Sequence, residues 1–131
     1  MDFHGIKIRF DCKNNEQYRA IGDFWSYMKA GYPNYSLKGV GYNWHNDSFD
    51  YVIGDFVTRD FEMDKIKKHY LTADYVKITL PDNGWQTFNG KTENLSKLYD
   101  EIYEQGALLY EIEEFYSNGN CKISIYRSDC L

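Results

Sequence analysis

In the segment Leu108 to Arg127, LLYEIEEFYSNGNCKISIYR, one carboxylate is set apart by its neighbours. Asn118-Gly119 between two alternating runs predicts a hairpin, with its turn at Ser117 to Asn120. Side chains alternate across a strand, so Tyr110, Ile112, Glu114 and Tyr116 share one face, and Leu109, Glu111, Glu113 and Phe115 share the other. Glu114 is the only charge on the first face. A carboxylate among apolar and aromatic side chains is costly unless a cation or a hydrogen-bond donor meets it. Glu114 is therefore the candidate anchor for a ligand, whereas Glu111 and Glu113 read as solvent groups on the opposite face.

Burial alone favours the neutral acid, and a bound cation reverses that preference by pairing with the ionised form. Tyr and Trp faces add cation–π attraction of roughly 0.5–2 kcal/mol each. Such a site needs aromatic walls. The candidates are Trp25, Tyr42, Trp44, Tyr51 and Tyr116, with Met28 and Trp85 further out. Structural readings stand beside these. Glu114 could be satisfied by a tyrosine hydroxyl or a lysine, Tyr42 and Tyr51 could be sheet packing, and Trp25 could be core.

Composition agrees with a binding cavity in a small globular protein. The chain has 131 residues, enough to bury a core, and 18% of them are aromatic, more than packing usually demands. The net charge of −5 is spread evenly, with 8 basic and 10 acidic groups in residues 1–65 and 7 and 10 in the remainder. No basic stripe exists, which argues against direct nucleic-acid binding. Cys12, Cys121 and Cys130 lack metal spacing and read as reduced thiols, and His4, His45 and His69 lie far apart. The run Asp60, Glu62, Asp64 reads as a solvated connector. No cofactor or metal signature is present. With no leader and no long apolar run, a soluble cytoplasmic protein is expected.

The elements that must position these residues follow from hydrophobic period. Ile6, Ile8 and Phe10 alternate as a strand. Asn14 with Gln17 forms a capping-box start for a helix from Asn15 to Ala30, with Tyr18, Ile21, Phe24, Trp25 and Met28 on its apolar face. Gly31 and Pro33 stop it. Leu37–Trp44 and Phe49–Val57 form a hairpin, in which Val40, Tyr42 and Trp44 share a face and Gly39 and Gly41 occupy the other. Two glycines within a strand mark close approach of another element. Residues 58–72 read as a connector with one or two helical turns. A strand over Asp74–Leu80 precedes a helix over Thr92–Gln105, which ends at Gly106.

Both halves, about 1–60 and 70–131, thus run strand, helix, strand, strand. The helix stops Gly31 and Gly106 are 75 residues apart, and the strand ends Trp44 and Tyr116 are 72 apart. A duplicated βαββ unit predicts an α+β fold in one domain: an antiparallel sheet with both helices on one side. Matching the hairpins sets Tyr42 against Glu114 near the pseudo-twofold axis.

This pattern resembles the GyrI-like effector-binding domain of bacterial AraC- and MerR-type regulators, which also occurs as a stand-alone protein. The resemblance rests on Glu114-Phe115-Tyr116 followed by Ile123-Ser124-Ile125-Tyr126, and more weakly on Gly39-Val40-Gly41-Tyr42 and the Trp25 helix. It implies a groove that takes bulky lipophilic molecules, often cationic, above a buried glutamate, here Glu114. Stand-alone, small, acidic versions, including ones encoded on integron gene cassettes, are similar to this chain. The chain departs from the family where Tyr126-Arg127-Ser128 replaces a common Ile-Pro ending. With no DNA-binding segment, it is not expected to act alone in transcription regulation. The partners expected are a lipophilic cation and no membrane, with a regulator, another protein or a second copy of the chain left open.

Three functions are compatible with these residues. The first is non-catalytic binding of lipophilic cations. The second is a hydrolase on the same scaffold, with Glu114 as base beside a tyrosine, although no G-x-S-x-G or Cys/His motif supports it. The third is an inhibitor or sensor subunit that docks through a flat aromatic patch.

Overall fold

The computed structural model describes residues 1–13 and 16–127. Seven strands, β1 (Asp2–Asp11), β2 (Lys38–His45), β3 (Ser48–Asp55), β4 (Asp74–Thr79), β5 (Gln86–Lys91), β6 (Leu108–Phe115) and β7 (Asn120–Arg127), form one antiparallel sheet in the order β4-β1-β3-β2-β6-β7-β5. Three helices accompany it: α1 (Gln17–Gly31), α2 (Met63–His69) and α3 (Leu95–Glu104), the last entered through a 3₁₀ turn at Thr92–Asn94. This is the α+β architecture expected from the duplicated pattern. The Asn14 cap and Cys130 lie outside the described residues.

The sheet order corrects one part of the duplication. The first unit is β1-α1-β2-β3, with β1 paired to β3. Its counterpart is β5-α3-β6-β7, with β5 paired to β7. The strand at 74–79 is instead an addition to the first unit, paired to the outer edge of β1. β5 is weak in sequence because QTFNGK has little apolar alternation, and its Phe88 is the one large apolar residue it brings to the α3 cluster. The two units meet where β2 pairs with β6.

Each unit packs its helix on the same side of the sheet. Phe24, Trp25 and Met28 of α1 lie on Ile6, Ile8, Phe10, Tyr51 and Ile53, with Ile66 of α2 in the same cluster. Ile102 of α3 packs on Ile123 and Ile125. The reverse side is also apolar at its centre, where Val40, Val52 and Ile112 are covered by Phe3 and Leu80 and flanked by Trp85. Both sides of the sheet therefore carry apolar clusters, and this bears directly on the site.

Arg127 fastens α3 in place. Its guanidinium is buried and donates from Nη2 to the Ile102 carbonyl and from Nη1 to the Gly106 carbonyl, each at 2.8 Å. These are carbonyls at and just beyond the helix C-terminus, where a cation is also favoured by the helix dipole. Gly106, at φ +121°, then takes the chain into β6. Arg127→Leu should cost about 2 kcal/mol in urea denaturation, because two charge-assisted bonds to the end of α3 are lost. A loss under about 0.5 kcal/mol would show that α3 is held by packing alone.

Candidate functional site

Glycine on β2 faces glutamate on β6 at two rungs of the central pairing. Gly39 pairs with Glu113 and Gly41 with Glu111. Both glutamates point to the helix side and are only 6% exposed, so they are buried groups and not the solvent groups expected from alternation. The glycines make room for what surrounds them. A Cβ at Gly39 would collide with the Tyr51 hydroxyl and reach 3.0 Å from Trp25 Cζ2, and one at Gly41 would reach 3.0 Å from Glu111 Oε1. The close approach signalled by two strand glycines is thus that of Tyr51 and Trp25 at Gly39 and of the Glu111 carboxylate at Gly41.

The Glu113 carboxylate is gripped by donors from both units. The Tyr51 hydroxyl of β3 donates to Oε1, and the Tyr99 hydroxyl of α3 donates to Oε2. Trp25 of α1 donates its indole N–H to the Tyr51 oxygen at 2.8 Å, which orients that hydroxyl toward Glu113. Burial pushes the Glu113 carboxyl above the usual range, and the two tyrosine bonds pull it back. Glu111 has no such help. Burial, and then the neighbouring Glu113 charge, raise its carboxyl well above the usual range, and its Oε2 is buried without a partner. Tyr51, Tyr99 and Tyr103 are all raised, burial being the largest cause and the carboxylates next, so each hydroxyl keeps its proton, and those of Tyr51 and Tyr99 donate to Glu113.

Above this floor lies a groove of about 970 Å³ between α1 and α3. Its walls are Trp25, Trp44, Phe49 and Phe115, with Trp25 and Phe115 edge to face at 5.4 Å and Trp44 stacked on Phe49 at 6.2 Å. Tyr18, Tyr103 and Tyr116, at 65%, 50% and 47% exposure, stand at its rim. Among the described residues its charged lining is Asp100, Glu111 and Glu113 against Lys29, which lies over the Trp25 ring at 5.4 Å. The groove is acidic at its floor and aromatic on its sides.

Four of the eight residues expected at the site line it: Trp25, Trp44, Tyr51 and Tyr116. The other four do not. Glu114 lies on the reverse face, where its Oε2 is 3.7 Å from Lys122 Nζ on the paired position of β7, the lysine-satisfied alternative. Tyr42 is there too, beside Tyr110 at 6.2 Å. Trp85 donates its indole N–H to the Pro81 carbonyl at 2.7 Å and packs on Tyr126. Met28 is fully buried core beneath α1. Tyr42 and Trp44 do not share a face because a bulge separates them: the register shifts between Tyr42 and His45, and Asn43 adopts φ +58° while its amide donates to Asp50 Oδ2 at 2.8 Å. That extra residue turns Trp44 into the groove. Glu111, Glu113, Tyr99 and Phe115 were missed; the signal for them was Gly39 and Gly41, since alternate glycines leave space for large groups on the neighbouring strand.

No family model and no curated protein matches the sequence. Among solved structures, the chain is similar to SAV2435 bound to tetraphenylphosphonium, with 15% sequence identity and a TM-score of 0.65 over 95% of this chain and 87% of that one. The two share a fold, α+β with a seven-stranded antiparallel sheet here, which is consistent with a GyrI-like arrangement.

Two outcomes follow from this geometry. Gly39→Ala should destabilise the protein by about 2 kcal/mol or more in urea and displace Tyr51, because backbone and a buried ring cannot both hold their places. A change within about 0.5 kcal/mol would mean the rung is looser than described. The second concerns pH. An acid whose carboxyl is raised on folding leaves the native state holding more protons, so its contribution falls as pH rises from the ordinary carboxylate range upward. Asp55 has the opposite slope, since Lys38, the Phe56 N–H and Arg59 outweigh its burial and lower it. Comparing Glu111→Gln with wild type cancels Asp55. The variant should gain about 1 kcal/mol at pH 8 relative to pH 5 in chemical denaturation. An equal difference at both pH values would mean that Glu111 does not titrate above its usual range.

Proposed function

We propose that the groove binds lipophilic cations without turning them over, and that Glu113 carries the pairing charge in place of the Glu114 suggested by the sequence. The observation that supports this most directly is the Glu113 carboxylate held between the Tyr51 and Tyr99 hydroxyls beneath aromatic walls. The tyrosine bonds lower the cost of ionising a buried carboxylate, and the arriving cation completes the compensation. Trp25, Trp44, Phe49 and Phe115 offer ring faces and edges, which reward apolar area and positive charge without fixing one ligand shape. That SAV2435 is described as bound to tetraphenylphosphonium supports the same class of ligand for this chain.

The finer reading is an effector-binding protein that senses or sequesters such molecules, with any regulated partner supplied separately. The hydrolase alternative gains less support. Each Glu113 oxygen already accepts a tyrosine hydroxyl, an arrangement that holds charge in place more readily than it draws a proton from water.

Tetraphenylphosphonium and neutral triphenylphosphine oxide, titrated against wild type and Glu113→Gln, test the proposal. The cation should bind wild type and weaken at least tenfold in the variant, about 1.4 kcal/mol, with the neutral compound changing far less. Equal affinities of the cation for both proteins would sink the Glu113 assignment.

A further inference from the structure

The groove contains one more acid than a single cation requires. Glu113 is provided for by two hydroxyls, whereas Glu111, two positions along the same strand face, meets Gly41 across the rung and leaves a buried Oε2 with no partner. Buried polar atoms are ordinarily satisfied, and an orphan on a side chain that itself lines an open groove points to something that enters the groove. We infer that the preferred ligand carries two cationic centres on an apolar body, one paired with Glu113 and the other donating an N–H to Glu111. This rests on the groove's being a cation site. Residues i and i+2 of a strand lie about 7 Å apart, which sets the approximate spacing of the two charges.

The groups facing Glu111 define its charge state. Glu113 stands beside it, the Tyr51 hydroxyl approaches from β3, and Tyr99 and Tyr103 approach from α3. Across the groove, α1 contributes Tyr18 and Lys29, and α3 contributes Asp100 nearer the mouth. No described cation lies within salt-bridge distance of Glu111, and burial and then the Glu113 charge favour its neutral acid. A single cation leaves that acid protonated. A second cationic N–H ionises it, with the proton passing to solvent, and relieves both the orphaned atom and the repulsion from Glu113. A quaternary onium at the second position supplies charge but no hydrogen bond.

The probes are 1,4-bis(aminomethyl)naphthalene, its monocationic counterpart 1-aminomethyl-4-methylnaphthalene, and the bis(trimethylammonium) analogue, titrated calorimetrically in two buffers of different ionisation enthalpy. The diamine should bind wild type at least tenfold tighter than the monoamine, release close to one proton, and exceed the bis-onium. In Glu111→Gln the diamine-to-monoamine ratio should fall toward one. Equal binding of monoamine and diamine by wild type overturns the inference and leaves the cation site standing, provided the monoamine responds to Glu113→Gln. Binding of none of the three overturns both. The wild-type comparison decides the matter even if a variant folds poorly.

Discussion

The structure depends on a carboxylate kept inside an apolar sheet. Glu113 occupies the central rung of the molecule, where the two units pair, and its oxygens take one hydroxyl from each unit: Tyr51 from the first and Tyr99 from the second. Placing charge there is unfavourable unless donors are fixed around it. The surrounding features make sense as ways of fixing them. Gly39 yields the volume for the Tyr51 hydroxyl, Trp25 orients that hydroxyl, and Arg127 holds the end of the helix that presents Tyr99.

The same arrangement exchanges stability for a site. An apolar residue at position 111 would fill its place without an orphaned oxygen, and buried acids of this kind weaken a fold at neutral pH. Local choices that run against folding are the ones a proposed binding site would account for. The helices share in this. They cover the outer parts of the sheet with Phe24, Met28 and Ile102 and leave the two central strands open between them. The gap between α1 and α3 is therefore a consequence of duplication, since each unit covers itself and neither covers the seam.

Much of the fold was legible in the sequence because hydrophobic period and turn chemistry are local. The α1 face, the Asn118-Gly119 hairpin and the Gly106 stop are set by residues near one another. Strand β5 was not legible, since QTFNGK becomes a strand only by pairing with β7. The groove lining was legible only in part: Trp25, Trp44, Tyr51 and Tyr116 were named from sequence, whereas Glu111, Glu113, Tyr99 and Phe115 were not. Alternation separated Glu114 from Glu111 and Glu113 correctly, but which face meets the helices depends on packing, and here Leu80 and Trp85 make the reverse face apolar as well. Trp44 was identified as a wall residue for a reason the structure changes, since it reaches the groove only through the Asn43 bulge.

The central claim is positional: a bound cation sits on the helix side of the β2–β6 rung, over Glu113. A crystal structure with tetraphenylarsonium tests it directly, because anomalous scattering locates the arsenic atom independently of the protein. The account predicts an arsenic peak between α1 and α3, with Trp25 and Tyr99 on either side and the Glu113 carboxylate beneath. A peak on the reverse face near Glu114 and Lys122, or at the aromatic cluster of Tyr42, Trp85 and Tyr110, would contradict it.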